Sequence, residues 1–157
     1  MGDSLAVGLR EHVKKRCTLV GIRFTSDARG GTTLRQWLGI GWFDSALSRE
    51  KPDIIVVSLG TNDGIPRDRK LFGERIKKMM EMSQTRSIRL VWLMPPNMPF
   101  KMDPIWEAIE NSGVEFLDPR CIDLPRWKDR IHMTLKANEL WSQMLWELLA
   151  AKKQRCV

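Results

Sequence analysis

Ile54-Ile55-Val56-Val57-Ser58-Leu59 is apolar on both faces of any extended chain. Side chains of a strand alternate between faces, so a half-exposed strand would show polar residues at every second position. A run without that alternation fits a central parallel strand covered on each side. A second such run, Ile88 to Met94, ends at Pro95-Pro96, and Val114 to Leu117 is a third, shorter one. Parallel strands need crossover segments between them.

The intervening stretches have helical periodicity. Leu5, Leu9 and Val13 recur at i, i+4 and i+8 over Ser4 to Arg16. Thr32 or Thr33 can cap a helix that turns Leu34, Trp37, Leu38, Trp42 and Leu47 inward; Gly39 and Gly41 predict a break into two short helices. Pro52-Asp53 stops that segment. A helix is expected over Arg69 to Met82, with Leu71, Phe72, Ile76 and Met79 or Met80 inward. Pro104 suits the first turn of another, where its missing N–H costs nothing. The last helix is expected over Thr134 to Ala151, with Leu140, Trp141, Met144, Leu145 and Leu148 inward. Cys17 to Phe24 is rich in apolar and β-branched residues and predicts a strand; Thr25 to Gly31 and Gly60 to Pro66 read as loops. Strands alternating with helices give an α/β three-layer sandwich. With 157 residues and no linker, repeat or low-complexity stretch, one domain over residues 1–157 is expected.

Composition narrows the function classes. No apolar run approaches the roughly 18 residues of a membrane span, and no secretory signal pattern opens the chain, so a cytoplasmic setting is expected. Cys17, Cys121 and Cys156 are odd in number and lack ligand spacing, which implies reduced thiols and no metal site. The net charge of +7 comes from 26 Lys and Arg against 19 acids. The basic residues, among them Arg67-Asp68-Arg69-Lys70 and Lys152-Lys153, are scattered over helix faces and form no nucleic-acid motif, so no nucleic-acid partner is expected.

Three places carry chemistry. Ser4 follows Gly2-Asp3 at the start of a helix, where its hydroxyl can face solvent and its N–H joins the unpaired donors of the first turn; equally, Ser4 or Asp3 can be an ordinary N-cap. Asn62 follows the central strand in Gly60-Thr61-Asn62-Asp63, as a turn residue or as an amide aimed at developing negative charge. His132 follows Asp129 by three residues, close enough for the carboxylate to reach Nδ1 and fix the tautomer; a helix-start salt bridge is the alternative. Asp118 and Asp123 are rival acids, and His12 lies among charged residues of the first helix. In open α/β sheets such residues gather beyond the carboxyl ends of the strands.

Gly2-Asp3-Ser4-Leu5, Gly60-Thr61-Asn62-Asp63 and Asp129-Arg130-Ile131-His132, in this order, resemble three blocks of the SGNH hydrolase superfamily, the GDSL-type esterases and lipases. The resemblance covers essentially the whole chain. It implies a flavodoxin-like parallel sheet, Ser4 as nucleophile, Asn62 as oxyanion donor, and His132 and Asp129 as completing the triad. A second-block glycine should lend a backbone N–H; in Gly30-Gly31-Thr32-Thr33 the preferred residue is Gly30, with Gly31 open. Two features depart from the pattern. The strand that usually precedes the first block is represented by Met1 alone, so whether the sheet has that strand is open, and His132 is followed by Met133 where a proline is usual. The resemblance implies a serine esterase that needs no cofactor or metal and acts on small-molecule or carbohydrate esters. A short chain without room for a lid suits acetyl or other short acyl groups, with Trp37, Trp42, Trp106 or Trp127 available to stack on a sugar; core packing is the other role for these rings. An imidazole base predicts a rate rising through a pKa of about 6.5. The alternative within the same fold is a binding module without turnover. Oligomeric state is not legible.

Overall fold

The computed structural model describes residues 1–63 and 69–150. The predicted loop at Gly64 to Pro66, the basic residues Arg67, Lys152 and Lys153, and Asp68, Ala151 and Cys156 lie outside the described residues, as do the side chains of Arg69 and Lys70.

Three parallel strands, β1 (Ile54–Val57), β2 (Arg89–Leu93) and β3 (Glu115–Leu117), lie in the order β1-β2-β3. The period of two sorts their side chains into two cores. Ile55, Val57, Leu90 and Trp92 enter one cluster with Leu34 and Trp37 of α2 (Leu34–Gly39) and Phe43 and Leu47 of α3 (Trp42–Glu50). Phe72, Ile76 and Met79 of α4 (Arg69–Gln84) and Ile105 and Ile109 of α5 (Asp103–Glu110) complete it. Val91 and Leu93 face the other way, against Leu5 and Leu9 of α1 (Ser4–Leu19) and Ala137, Trp141 and Leu145 of α6 (Leu135–Ala150). Helices therefore cover both faces, as the unalternating apolar runs require. The fold is the expected α/β sandwich.

Local signals held in several places. Thr33 caps α2 through a capping box with Gln36, and Gly41, with φ of 81°, separates α2 from α3. Pro104 stands in the first turn of α5. Leu71 and Leu140 do not turn inward as expected: they are 45% and 38% exposed, at the margins of their helices' apolar stripes.

The predicted strand at Cys17 to Phe24 does not form. Helix α1 continues through Leu19 and ends in a Schellman turn, with Ile22 N–H donating to the Cys17 carbonyl (2.9 Å) and Gly21 N–H to that of Thr18 (3.3 Å). Gly21, at φ of 72°, takes the left-handed conformation this turn needs. The Val20-Gly21 pair is thus a helix stop. Beyond it only Ala28 pairs with a strand-like neighbour, Gly2, which also bridges Ser58; both bridges are parallel.

Candidate active site

The nucleophile turn is assembled by distant backbone. Asp3 N–H donates to Ser58 O (3.0 Å), Gly2 N–H to Asp27 O (3.3 Å) and Arg29 N–H to Gly2 O (2.8 Å). The approach is close enough that a Cβ on Gly2 would sit 2.2 Å from Ser58 O. Asp3, fully buried, is the N-cap of α1, its Oδ1 accepting from Leu5 N–H at 2.9 Å. The capping duty thus falls to Asp3, and Ser4 becomes the first helical residue. Among the described residues its hydroxyl and its N–H make no hydrogen bond.

Burial pushes the Asp3 carboxyl up to about 7, the leading cause, and the neighbouring Asp63 carboxylate adds to the effect. Asp3 Oδ2 and Thr61 Oγ1 are both buried and without a hydrogen bond, although the Thr61 hydroxyl lies near enough to favour the ionised form. The Leu5 N–H bond is the strongest influence opposing the rise, and nearby His132 adds a smaller one in the same direction.

Two loops join this turn. Thr32 N–H and Oγ1 both donate to Arg29 O, at 3.4 and 2.8 Å, and close a tight turn in which Gly31 has φ of 74°. Gly30 and Gly31 are exposed, and their N–H groups make no hydrogen bond among the described residues. Asn62, in a single 3-10 turn (Thr61–Asp63) after β1, donates one amide proton to Thr32 O at 3.2 Å and retains a second. Asp63 accepts from Leu34 N–H at 3.1 and 3.2 Å, pinning the start of α2 to the Asn62 turn; burial raises its carboxyl to about 6.

The third component is a small hairpin. Arg126 and Met133 bridge in antiparallel fashion, and Trp127 N–H donates to His132 O at 2.8 Å. Inside it Asp129 Oδ1 accepts from the N–H groups of Ile131 and His132, each at 2.9 Å, while Oδ2 lies 2.7 Å from His132 Nδ1. The His132 hydrogen bond, followed by these two N–H groups, holds the Asp129 carboxyl down to about 2. The Asp-x-x-His spacing therefore closes in a turn, and Nε2 makes no hydrogen bond among the described residues. Arg126 fastens the hairpin through the carbonyls of Ile131 and Asn97. Met133, beside His132, packs in the same cluster as Leu5, beside Ser4. Asp118 is engaged by Arg120, whose Nε lies 2.9 Å from Oδ1.

The sequence reading missed the roles of Asp63 and Arg126, because Leu34 N–H and Asn97 O, which they engage, are backbone groups far along the chain. Asp3 was visible only as one of two possible caps. Of the four tryptophans considered for stacking, Trp37 is fully buried, Trp42 is half-buried beneath the Arg29 guanidinium, and Trp106 donates to Pro95 O; Trp127, on the hairpin, is 55% exposed.

Residues 1–103 match the family model described as "Protein of unknown function (DUF459)". The chain belongs to the DUF459 family. The match takes in Ser4, Gly30, Gly31 and Asn62 and stops before the Asp129–His132 hairpin. No curated protein sequence matches this DUF459 chain. Its fold is shared with solved structures at low identity. A protein of the G-D-S-L family from Desulfitobacterium hafniense DCB-2 superposes with a TM-score of 0.78 at 16% identity, over 94% of this chain and 96% of its own. The esterase EstA from Pseudoalteromonas sp. gives 0.75 at 16% identity, over 95% and 93%. The acetyl xylan esterase Axe2 from Geobacillus stearothermophilus gives 0.73 at 14% identity, over 99% and 94%. This DUF459 protein thus has the GDSL-type, or SGNH, hydrolase fold.

Proposed function

We propose that the protein is a serine esterase acting on short acyl esters, acetyl esters of carbohydrates included. The observation that carries this reading is the Asp129–His132 pair, with its Nδ1 contact at 2.7 Å, presented beside a helix start whose serine hydroxyl and N–H are both uncommitted. His132 takes the Ser4 proton on Nε2 as Ser4 Oγ attacks the ester carbonyl. The oxyanion meets the N–H groups of Ser4 and of Gly30 or Gly31 and the second amide proton of Asn62. Collapse expels the alcohol with the proton from His132, and water repeats the sequence to release the acid. Asp129 stays ionised throughout, fixing the tautomer and favouring the imidazolium. Exposed Trp127 offers a flat face to the alcohol portion. The esterase and acetyl xylan esterase names among the structures sharing the fold support the substrate class.

The test is hydrolysis of p-nitrophenyl esters from acetate to octanoate by the wild-type chain, Ser4→Ala and His132→Ala. Each substitution is expected to lower kcat by about 10⁶-fold, the scale for losing one member of a unit that acts together. A wild-type rate equal to that of Ser4→Ala, with both folded, would sink the proposal. One observation favours a second reading, a binding module without turnover: Ser4 Oγ and His132 make no hydrogen bond in this state. Catalytic hydrogen bonds often tighten only with substrate bound, so the same assay decides between the two.

A further inference from the structure

Gly30 and Gly31 carry the N–H groups offered to the oxyanion, yet nothing packs on them. A Cβ added at either would meet nothing within 4 Å beyond its chain neighbours. Adjacent glycines are the least restrained backbone a chain can have. An oxyanion donor is effective only when its dipole is fixed before charge develops. The order of this loop must therefore come from its flanks.

On the Thr32 side, Trp37 Nε1–H donates to Thr32 Oγ1 at 3.0 Å and Asn62 donates to Thr32 O at 3.2 Å. On the other side stands Arg29. Its N–H donates to Gly2 O at 2.8 Å, while Asp27 O accepts from Gly2 N–H at 3.3 Å, so residues 27 and 29 hold both backbone polar groups of Gly2. The side chains of the same two residues close on each other. Arg29 Nε donates to Asp27 Oδ1 at 3.0 Å and Nη2 to Oδ2 at 3.3 Å, a two-pronged pair that holds the Asp27 carboxyl below the usual carboxylate range.

The guanidinium also lies over the Trp42 ring, 4.1 Å from its centroid, and 5.8 Å from that of Trp37. Trp37 is fully buried and meets Trp42 edge to face, with centroids 5.8 Å apart. Contacts thus run from the core through two indoles and one guanidinium to the residue that opens the glycine loop. Only a flat cation can fork onto a carboxylate in its plane and stack on a ring through its face; a lysine ammonium cannot do both. With 40% of the arginine side chain exposed, the pair adds little to folding, so what it supplies is geometry.

We propose that Arg29 is a positioning residue for the ester hydrolysis: forked on Asp27 and stacked on Trp42, it fixes the Gly30-Gly31 N–H groups against the nucleophile turn. It touches neither substrate nor Ser4 and acts through the backbone on either side of it. Misplacing a group by a small distance is costly in an oriented site, so a residue outside the chemistry can govern its rate. The assignment rests on the esterase reading.

The test follows kcat/KM on p-nitrophenyl acetate for the full wild-type chain, Ser4→Ala, Arg29→Lys, Trp42→Leu and Trp42→Phe, with Tm and hydrogen exchange of each. Arg29→Lys keeps the charge but loses the fork and the stack; kcat/KM is expected to fall about 10²-fold with Tm little changed. Trp42→Leu should lower it about tenfold, and Trp42→Phe, which restores a ring face, should recover most of that loss. The amides of Arg29 and Thr32, bonded to Gly2 O and Arg29 O, should exchange faster in Arg29→Lys. Ser4-dependent turnover that Arg29→Lys leaves intact would overturn the assignment and leave the esterase reading standing. So would a loss that merely tracks Tm, or equal activity in Trp42→Leu and Trp42→Phe. Absence of Ser4-dependent turnover in the wild-type chain would instead overturn both.

Discussion

In the hairpin from Arg126 to Met133, His132 receives its orienting carboxylate from three residues away, and both side chains are 46% exposed. In the turn at Gly2 to Ser4, the partners are Asp27, Arg29 and Ser58, far along the chain, and the carboxylate that shapes the turn is fully buried. In one component of the proposed machinery the acid–base pair is local and wet; the other exists only once the sheet has formed. Damage to the hairpin should therefore remove chemistry and spare stability, whereas damage to the turn should cost both.

Asp129→Asn is the sharpest way to break this contrast. Loss of the carboxylate leaves the imidazole without its tautomer-fixing acceptor, and kcat on p-nitrophenyl acetate is expected to fall by about 10⁴-fold. Tm should be essentially unchanged, because an exposed pair contributes little to folding. A matching fall in Tm would show that the hairpin is as dependent on the fold as the turn.

Asn62→Ala comes next. Removing one oxyanion donor is expected to lower kcat by about 10²–10³-fold with little change in KM, measured on the same ester. Because Asn62 also holds Thr32 O at 3.2 Å, a rise in KM instead would mean that its part is to hold the Gly30-Gly31 loop in place.

Gly2→Ala tests the other region. A Cβ would press on the Ser58 carbonyl at 2.2 Å, and the forced shift should cost about 1–3 kcal/mol in urea denaturation while also lowering kcat. Full stability with normal activity would show that the turn can relax around the added methyl.

The smallest effect concerns pH. The Asp3 and Asp63 carboxyls are raised to about 7 and about 6 in the folded chain, above an unfolded value of about 3.9. Between pH 4.5 and 6 the folded state thus binds more protons than the unfolded one, and stability should decline as pH rises. Asp3→Asn keeps an acceptor for Leu5 N–H and should flatten the decline, read from urea midpoints at pH 4.5, 5.0, 5.5 and 6.0. An unchanged slope would place the buried protons elsewhere.

How much was legible follows from the range of each interaction. The apolar run at Ile54–Val57 specified a parallel strand but not its place: β1 lies at the edge of the three-stranded sheet with Ile54 41% exposed, and the central strand, buried along most of its length, is β2, because which strand takes the middle is set by pairing across the chain. Asp129 and His132 were readable as a pair, since a three-residue spacing is within reach of one turn. Gly21 was misread: a helix-stop glycine and a glycine inside a strand look alike until hydrogen bonds to Cys17 and Thr18 identify the turn. The tertiary structure alone decided that Asp3 caps α1 and leaves Ser4 uncommitted, and that Asp63 ties the Asn62 turn to α2. These depend on backbone groups brought together from across the chain, and backbone N–H and C=O groups are the same at every residue, so no sequence pattern marks which of them will meet.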